Sequence, residues 1–115
     1  MRNDMRQEQT LKMHADFQLA VWNFMKKTPI FKEYYDDIKL YFLHTYLYET
    51  LYFAKLRDFK PSYSFYKELE KTVITEVPDY DESTYSALIP KQMELYRMIG
   101  EEMTEVKFKE YWEQL

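Results

Sequence analysis

Residues 30–56 read IFKEYYDDIKLYFLHTYLYETLYFAKL, and this stretch decides the fold because it predicts one long helix with two apolar sides. At 100° per residue, its apolar side chains fall on two opposite stripes. The first stripe contains Leu40, Leu43, Leu47, Leu51 and Ala54, and the second contains Tyr35, Ile38, Phe42, Tyr46, Phe53 and Leu56. Because neither stripe can be left in water, we expect a central helix over residues 30–57 that other protein covers on both sides.

A narrow polar ridge separates the two stripes. It carries Asp37 and His44, with Tyr41 and Tyr48 interleaved. These four residues form a candidate polar site, in which the histidine could shuttle a proton or bind a polar ligand. Asp37 lies nearly two turns from His44, which is too far for a hydrogen bond between them. A partly exposed structural histidine therefore explains the ridge more simply than catalysis does.

The composition favours a few long helices in a single domain. The 115 residues include 12 Tyr, 8 Phe and 2 Trp but only 1 Gly and 4 Pro, which disfavours a turn-rich β fold. A chain of this length can bury a core without disulfides, so we expect one domain over residues 1–115. The absence of cysteine excludes a disulfide framework and a thiolate metal site, and it is compatible with the cytoplasm. We expect neither a cofactor nor a metal ion.

Charge and hydropathy argue against nucleic-acid and membrane partners. The net charge of −4, with basic residues scattered among acidic ones, offers no attraction for a phosphate backbone. Charged residues interrupt the apolar central stretch, which therefore falls short of the roughly 20 apolar residues that span a membrane. The N-terminus does not resemble a secretion signal. Glutamates in the last helix disfavour contact with an anionic membrane surface, because such lipid would repel them.

Two further helices are predicted on either side of the central one. The first covers roughly residues 4–27 and ends at Thr28-Pro29, since proline disfavours helical geometry in the residue before it. Its apolar stripe is predicted to be centred on Met13, Phe17, Ala20, Val21 and Phe24, which recur at intervals of three and four residues. Leu11, Trp22 and Met25 widen this stripe. The third helix of the chain follows a cap at Ser62 or Ser64 and ends at Val77-Pro78.

The C-terminal third is predicted to be helical as well. Residues 84–88 could form a short helix between turn-forming segments. Residues 90–114 form either one bent helix or two shorter ones, because Gly100 stands where a helix can stop or bend. The whole pattern predicts an all-α bundle of about five helices packed around the central one.

Several aromatic-rich motifs follow one another along the first two thirds of the chain. They are Asp16-Phe17, Phe24-Met25, Lys27-Thr28-Pro29-Ile30-Phe31, Glu33-Tyr34-Tyr35-Asp36-Asp37-Ile38, Tyr41-Phe42-Leu43-His44-Thr45-Tyr46-Leu47, Leu51-Tyr52-Phe53-Ala54 and Val77-Pro78-Asp79-Tyr80. In this order they resemble the helical region that follows the catalytic domain in many bacterial family-2 glycosyltransferases of the GT-A type. The resemblance covers about half of the chain and consists of spaced aromatic residues, not of catalytic signatures.

The resemblance implies a role for the tail of such an enzyme and no more. In that family a separate α/β domain transfers a sugar from a nucleotide-sugar donor, and that domain is missing here. What is implied is packing on the parent catalytic domain, on another subunit, or near a membrane. Asp79-Tyr80-Asp81 is similar to the acidic pair that holds a divalent cation in these enzymes. Helix capping and the helix dipole explain these carboxylates better, because the strand and nucleotide pocket are absent from the sequence.

The residues expected at an interface are Leu40, Leu43, Leu47, Leu51 and Trp112. Trp112 either anchors an interface or pins the C-terminal tail to the core. We expect a non-catalytic accessory domain of a bacterial glycosyltransferase that packs on the parent catalytic domain or associates with a second copy. The alternative is a free-standing helical binding module with an aromatic-lined pocket. An enzyme that uses the His44 ridge is a third interpretation, but from this chain alone we expect no activity.

Overall fold

The computed structural model describes residues 2–80 and 89–115, and these residues form helices and turns without a strand. The helical segments are α1 (Arg2–Met25), α2 (Tyr35–Phe42), a π-helical segment (Leu43–Tyr48), α3 (Glu49–Leu56), α4 (Tyr63–Glu76), α5 (Pro90–Gly100) and α6 (Glu105–Gln114). Segments α2, π and α3 continue one another without a break and together form the central helix, which brings the described helices to five. The predicted all-α fold is confirmed. The predicted short helix at residues 84–88 lies outside the described residues.

The central helix is covered on both sides by the chain's own helices. On one side Leu43, Leu47 and Leu51 are at most 1% exposed, and on the other Phe42 and Tyr46 are also buried. The helix packs against α1, α4 and α5. The chain's own helices therefore cover both sides along the middle of the central helix, whereas Leu56 at its end is 67% exposed.

The ends of the central helix differ slightly from those predicted. It begins at Tyr35 instead of residue 30, because the residues after Pro29 form turns in which Tyr34 N–H donates to the Ile30 carbonyl at 2.9 Å. It ends at Leu56, and Asp58 follows in the left-handed region with φ of 55°. An aspartate tolerates that conformation better than most residues, because its short polar side chain can bond locally.

The middle of the central helix winds as a π-helix, which the sequence did not predict. Two threonines donate their hydroxyls to carbonyls one turn back: Thr45 to Tyr41 at 2.9 Å and Thr50 to Tyr46 at 2.7 Å. Such bonds compete with the regular ladder and bend helices. The Thr45 carbonyl in turn accepts a hydrogen bond from His14 Nε2 of α1 at 3.0 Å. The imidazole of His14 in α1 thus forms a hydrogen bond with the backbone of the central helix inside its π-helical segment.

The face of α1 that packs on the core agrees with only part of the predicted apolar stripe, because the core contacts are made by Leu11 and Trp22 from its edge and not by its central residues. Leu11, Ala15 and Trp22 are at most 2% exposed, whereas Met13 and Phe17 of the predicted stripe point into solvent. Trp22 explains the choice of face. Its ring stacks on Phe42 of α2 at a centroid distance of 4.7 Å, and its Nε1–H donates to Glu76 of α4 at 2.8 Å.

The C-terminal half closes the bundle with three helices. Ser62 caps α4 by accepting the Phe65 N–H at 3.0 Å, as one of the two predicted caps. Residues 90–114 form two helices, because Glu102 adopts a left-handed φ of 67° after α5 and Thr104 caps α6. Helix α6 then stacks Phe108 on Tyr66 of α4 at 4.7 Å.

An acid-sensitive contact joins α1 to the end of α4. Glu76 Oε1 accepts hydrogen bonds from Lys26 Nζ at 2.7 Å and from Trp22 Nε1 at 2.8 Å. The bond from Lys26, followed by the bond from Trp22, lowers the pKa of the Glu76 carboxyl below its ordinary value. Because the folded pKa is the lower one, this contribution to stability is present above the ordinary pKa of the glutamate and is lost as pH falls through the folded pKa.

We predict that Glu76→Gln lowers the free energy of unfolding at pH 7 by about 1 kcal/mol, a modest value because both partners are partly exposed. Urea titrations at pH 7 and pH 3 measure the effect. At pH 3 the difference between the variant and the parent protein should shrink, since the parent carboxylate is then becoming protonated. Glu68→Gln, at an exposed position on the same helix, is the control and should change little at either pH. An equal loss at both pH values would contradict the prediction.

Candidate functional site

An apolar stripe lies on the outer face of α1. It consists of Met13, Phe17, Ala20 and Phe24, spaced by four, three and four residues, and we call it the α1 stripe. This spacing places all four side chains on one side of the helix. Met13 is 72% exposed, Phe17 64% and Phe24 66%. From residue 6 onward, where the side chains of α1 are described, these are its most exposed large apolar side chains.

The α1 stripe points away from the core because the opposite side of the helix is buried. Leu11, Ala15 and Trp22 lie half a turn from the stripe and pack on the central helix. Polar residues border the stripe, and Asp16 forms an ion pair with Lys12 at 3.7 Å. An exposed apolar strip with a polar rim is typical of a protein interaction site.

The leucines expected at an interface are core residues in this fold. Leu43, Leu47 and Leu51 are buried by the chain itself, so they present no surface to a partner, and Leu40 is half-buried. The leucines were assigned to an interface because the sequence of a helix with two apolar sides does not show whether the helices that cover it belong to its own chain or to another chain. Three exposed large apolar side chains instead lie in line on α1.

Trp112 is packed against α3 and is 8% exposed. Lys55 Nζ lies 4.4 Å from the centre of its ring and also donates to its backbone carbonyl at 3.1 Å. A cation over an aromatic face, combined with a hydrogen bond to the same residue, fixes the last turn of α6 on the central helix. Of the two roles predicted for Trp112, this geometry fits the pinning of the tail.

The predicted polar site is only partly assembled. His44 and Tyr48 lie side by side, with ring centroids 5.6 Å apart, whereas Asp37 and Tyr41 are exposed. His44 contacts two residues that the sequence did not single out. Its Nδ1 donates to Gln92 Oε1 of α5 at 2.7 Å, and its Nε2 lies 3.3 Å from Glu49 Oε2.

Gln92 extends this contact into the core. It is fully buried, and its Nε2 donates to the Tyr96 hydroxyl at 2.5 Å. Burial raises the pKa of Tyr96 to about 12, although the bond from Gln92 opposes the rise. A hydroxyl with that pKa stays protonated at neutral pH, and here it accepts the hydrogen bond that Gln92 donates. Because Gln92 is 48 residues from His44, no local spacing could have revealed their contact.

Two clefts are alternatives to the α1 stripe as a binding site. One of about 300 Å³ is lined by Lys60, Pro61, Phe108, Lys109, Trp112 and Glu113. The other, of about 200 Å³, lies between α1, the central helix and α4. In the first cleft the aromatic rings of Phe108 and Trp112 are nearly covered, so a ligand would contact little of either ring.

The described part of the chain offers neither a metal site with three protein ligands nor a membrane-spanning helix. Residues 2–80 and 89–115 contain no group of three His, Asp or Glu side chains placed to bind a metal ion. Asp79 of the predicted acidic pair accepts bonds from Tyr35 at 2.8 Å and Lys39 at 3.0 Å, and Asp81 lies outside the described residues. Among the described helices, none combines the length and hydropathy that crossing a bilayer requires.

The chain was compared with known proteins at three levels. Neither the scan of protein-family models nor the searches of curated proteins and of solved structures found a match.

Proposed function

We propose that this chain is a non-catalytic helical module that binds protein through the α1 stripe. The observation that carries the proposal is the exposure of Met13, Phe17 and Phe24 on one face of a helix whose other face is already buried. Scattered exposed apolar residues are normal on a protein surface, but aligned ones form a continuous strip. The function is therefore packing or self-association.

The exposed area supports a modest but specific interaction. Burying a large apolar side chain completely contributes about 1.5–3 kcal/mol, so the exposed parts of three such residues offer a few kcal/mol to a partner. Most of that must offset the loss of freedom on association. The α1 stripe is thus suited to reversible contact, or to contact with a domain held nearby by the same chain.

The resemblance to the helical region of family-2 glycosyltransferases supplies one candidate partner. In that interpretation the α1 stripe packs on the catalytic domain of a bacterial sugar-transferring enzyme, and this chain itself catalyses nothing. A second copy of the chain is the other candidate. Both candidates use the same face of α1, and the proposal concerns that face.

The alternative, a small-molecule binding module, has weaker support. It requires aromatic rings that a ligand can reach, and in the 300 Å³ cleft Phe108 is only 2% exposed and Trp112 only 8%. The open cleft would bury little of a ligand, whereas ligand sites usually enclose most of their occupant. The α1 stripe presents far more accessible apolar surface.

Site-specific photocrosslinking tests the proposal. Phe17 is replaced by the photoreactive amino acid benzoylphenylalanine, and the protein is irradiated in the cells that produce it naturally. We expect one discrete crosslinked product, which mass spectrometry identifies as a second copy or as a sugar-transferring catalytic domain. The matched control carries the same group at Val106 of α6, which is 66% exposed, nearly as much as Phe17. Equal products from both positions, or none from Phe17, would refute the proposed function.

A further inference from the structure

We infer that His44 and Glu49 form a binding site for a divalent transition-metal ion such as Zn²⁺. This site is separate from the α1 stripe, so the inference goes beyond the proposed function and does not depend on it. Three observations carry it. They are the hydrogen bond that orients the imidazole of His44, the distance between the two side chains, and the π-helical winding that brings them together.

The contact with Gln92 leaves one ring nitrogen of His44 available to a cation. His44 Nδ1 lies 2.7 Å from Gln92 Oε1, which can only accept a hydrogen bond, so Nδ1 carries a proton. The amide is oriented this way round because its nitrogen donates to the Tyr96 hydroxyl. In the neutral imidazole, Nε2 therefore holds a lone pair. Histidines that bind metal ions have the same arrangement, in which the second ring nitrogen donates to a fixed acceptor.

The lone pair of His44 faces a carboxylate across a distance that fits a metal ion. His44 Nε2 lies 3.3 Å from Glu49 Oε2. With a neutral imidazole both atoms are acceptors, so a cation between them relieves the repulsion of their lone pairs. Zinc bonds of about 2.1 Å that meet at the tetrahedral angle place a nitrogen and an oxygen ligand about 3.4 Å apart. A Zn²⁺ ion therefore fits between these two atoms with little movement of either side chain.

The π-helical segment is what aligns the two ligands. His44 and Glu49 are five positions apart, and in a regular α-helix such side chains point about 140° apart around the axis. A π-helix instead completes its hydrogen-bonded turn from residue i to residue i+5. His44 lies within the π-helical segment, and Glu49 follows directly after it. The site is therefore invisible when the sequence is interpreted as a regular helix.

The exposure and the chemistry of the two ligands indicate which ions can bind. The side chain of His44 is 34% exposed and that of Glu49 is 45% exposed, so an ion can enter from solvent. Among the described residues, the ion pairs of lysine and arginine all use other carboxylates. An imidazole beside a carboxylate suits Zn²⁺, Ni²⁺ and Cu²⁺, whereas Mg²⁺ and Ca²⁺ prefer oxygen ligands. Because two protein ligands leave two positions of a tetrahedron to water, binding is reversible.

Calorimetric titration of the intact protein with zinc chloride at neutral pH tests the site. We expect one Zn²⁺ per chain, and Glu49→Gln should weaken its binding at least about tenfold, because loss of a ligand costs no less than loss of an outer partner. Glu68→Gln, at an exposed position of α4, is the matched control and should bind zinc as the parent protein does. Magnesium chloride should give no binding at the same concentrations. Circular dichroism of both variants verifies that they remain folded.

Nitrogen NMR of the histidine rings identifies the ligand atom. Zinc should shift the Nε2 resonance of His44 and leave its Nδ1 protonated. If that resonance does not move, or if Glu49→Gln binds zinc as tightly as the parent protein, His44 and Glu49 form a salt bridge only and the inference is wrong. Neither result bears on the α1 stripe, whose test is the product captured at Phe17.

Discussion

Replacement of Trp22 by alanine should lower the free energy of unfolding by about 3–5 kcal/mol, the usual cost of removing a large aromatic side chain from a core. Replacement of Phe24, two positions later on the same helix, should change it by less than about 0.5 kcal/mol. The two rings belong to the same helix and have similar hydrophobicity, but they lie on opposite sides. Trp22 is 2% exposed and Phe24 is 66% exposed.

The large effect at Trp22 has two physical sources. Its ring stacks on Phe42 and meets the edge of Phe31 at a centroid distance of 5.4 Å, so alanine would leave a cavity between α1 and α2. Its Nε1–H also donates to Glu76, and its removal takes a donor from that carboxylate. The tryptophan thus joins α1 to both α2 and α4, and its loss weakens two helix contacts together.

Urea unfolding of both variants measures this difference, at a protein concentration low enough to keep the chain monomeric. The dependence of the free energy on urea should be unchanged in both variants, which shows that they unfold from the same structure. A loss at Phe24 that equals the loss at Trp22 would mean that α1 is seated with its other face inward. That result would contradict the placement of the α1 stripe in solvent and the proposed function built on it.

Much of the fold follows from the sequence because periodicity determines where helices form. The central helix and a cap at Ser62 or Ser64 for the helix after it were predicted from the sequence, and Ser62 is the residue that caps α4. The sequence left undecided whether residues 90–114 form one bent helix or two helices, because Gly100 permits either a bend or an end. In the structure Gly100 is the last residue of α5, and the left-handed residue that ends the helix is Glu102.

The face of α1 could not be chosen from the sequence, because α1 has apolar residues on both sides. The predicted stripe was centred on five residues in regular order, whereas the face that is buried contains Leu11 and Trp22 from the edge of that stripe together with Ala15. What decides between them is the contact of Trp22 with Phe42 and Glu76, which are 20 and 54 residues away. Tertiary packing overrides a local pattern in such a case.

The polar contact between α2–α3 and α5 was equally inaccessible to sequence reasoning. His44 was singled out because it interrupts an apolar helix, but its partner Gln92 lies in a helix predicted only from its apolar residues. The π-helical segment that contains His44 has no simple sequence signature either. Segments of this kind are rare and are frequent at functional sites, and here the segment places His44 against α5.

Gln92→Leu should lower the free energy of unfolding by about 2–4 kcal/mol, although it preserves most of the side-chain volume. Gln92 is fully buried and joins His44 to Tyr96, so leucine would deprive two polar groups of a partner at once. Each buried polar group that loses its hydrogen bond costs about 1–3 kcal/mol. The loss should therefore exceed what a change of shape alone would cause.

A double-mutant cycle separates the hydrogen bond from the change of shape. Tyr96→Phe removes the hydroxyl that accepts from Gln92, and alone it should cost about 1–2 kcal/mol, because the buried amide then lacks that acceptor. In Gln92→Leu with Tyr96→Phe both ends of the bond are gone, so the combined loss should be smaller than the sum of the two single losses. Urea unfolding of all four proteins gives the coupling energy. Strictly additive losses would show that the side chains of Gln92 and Tyr96 do not interact.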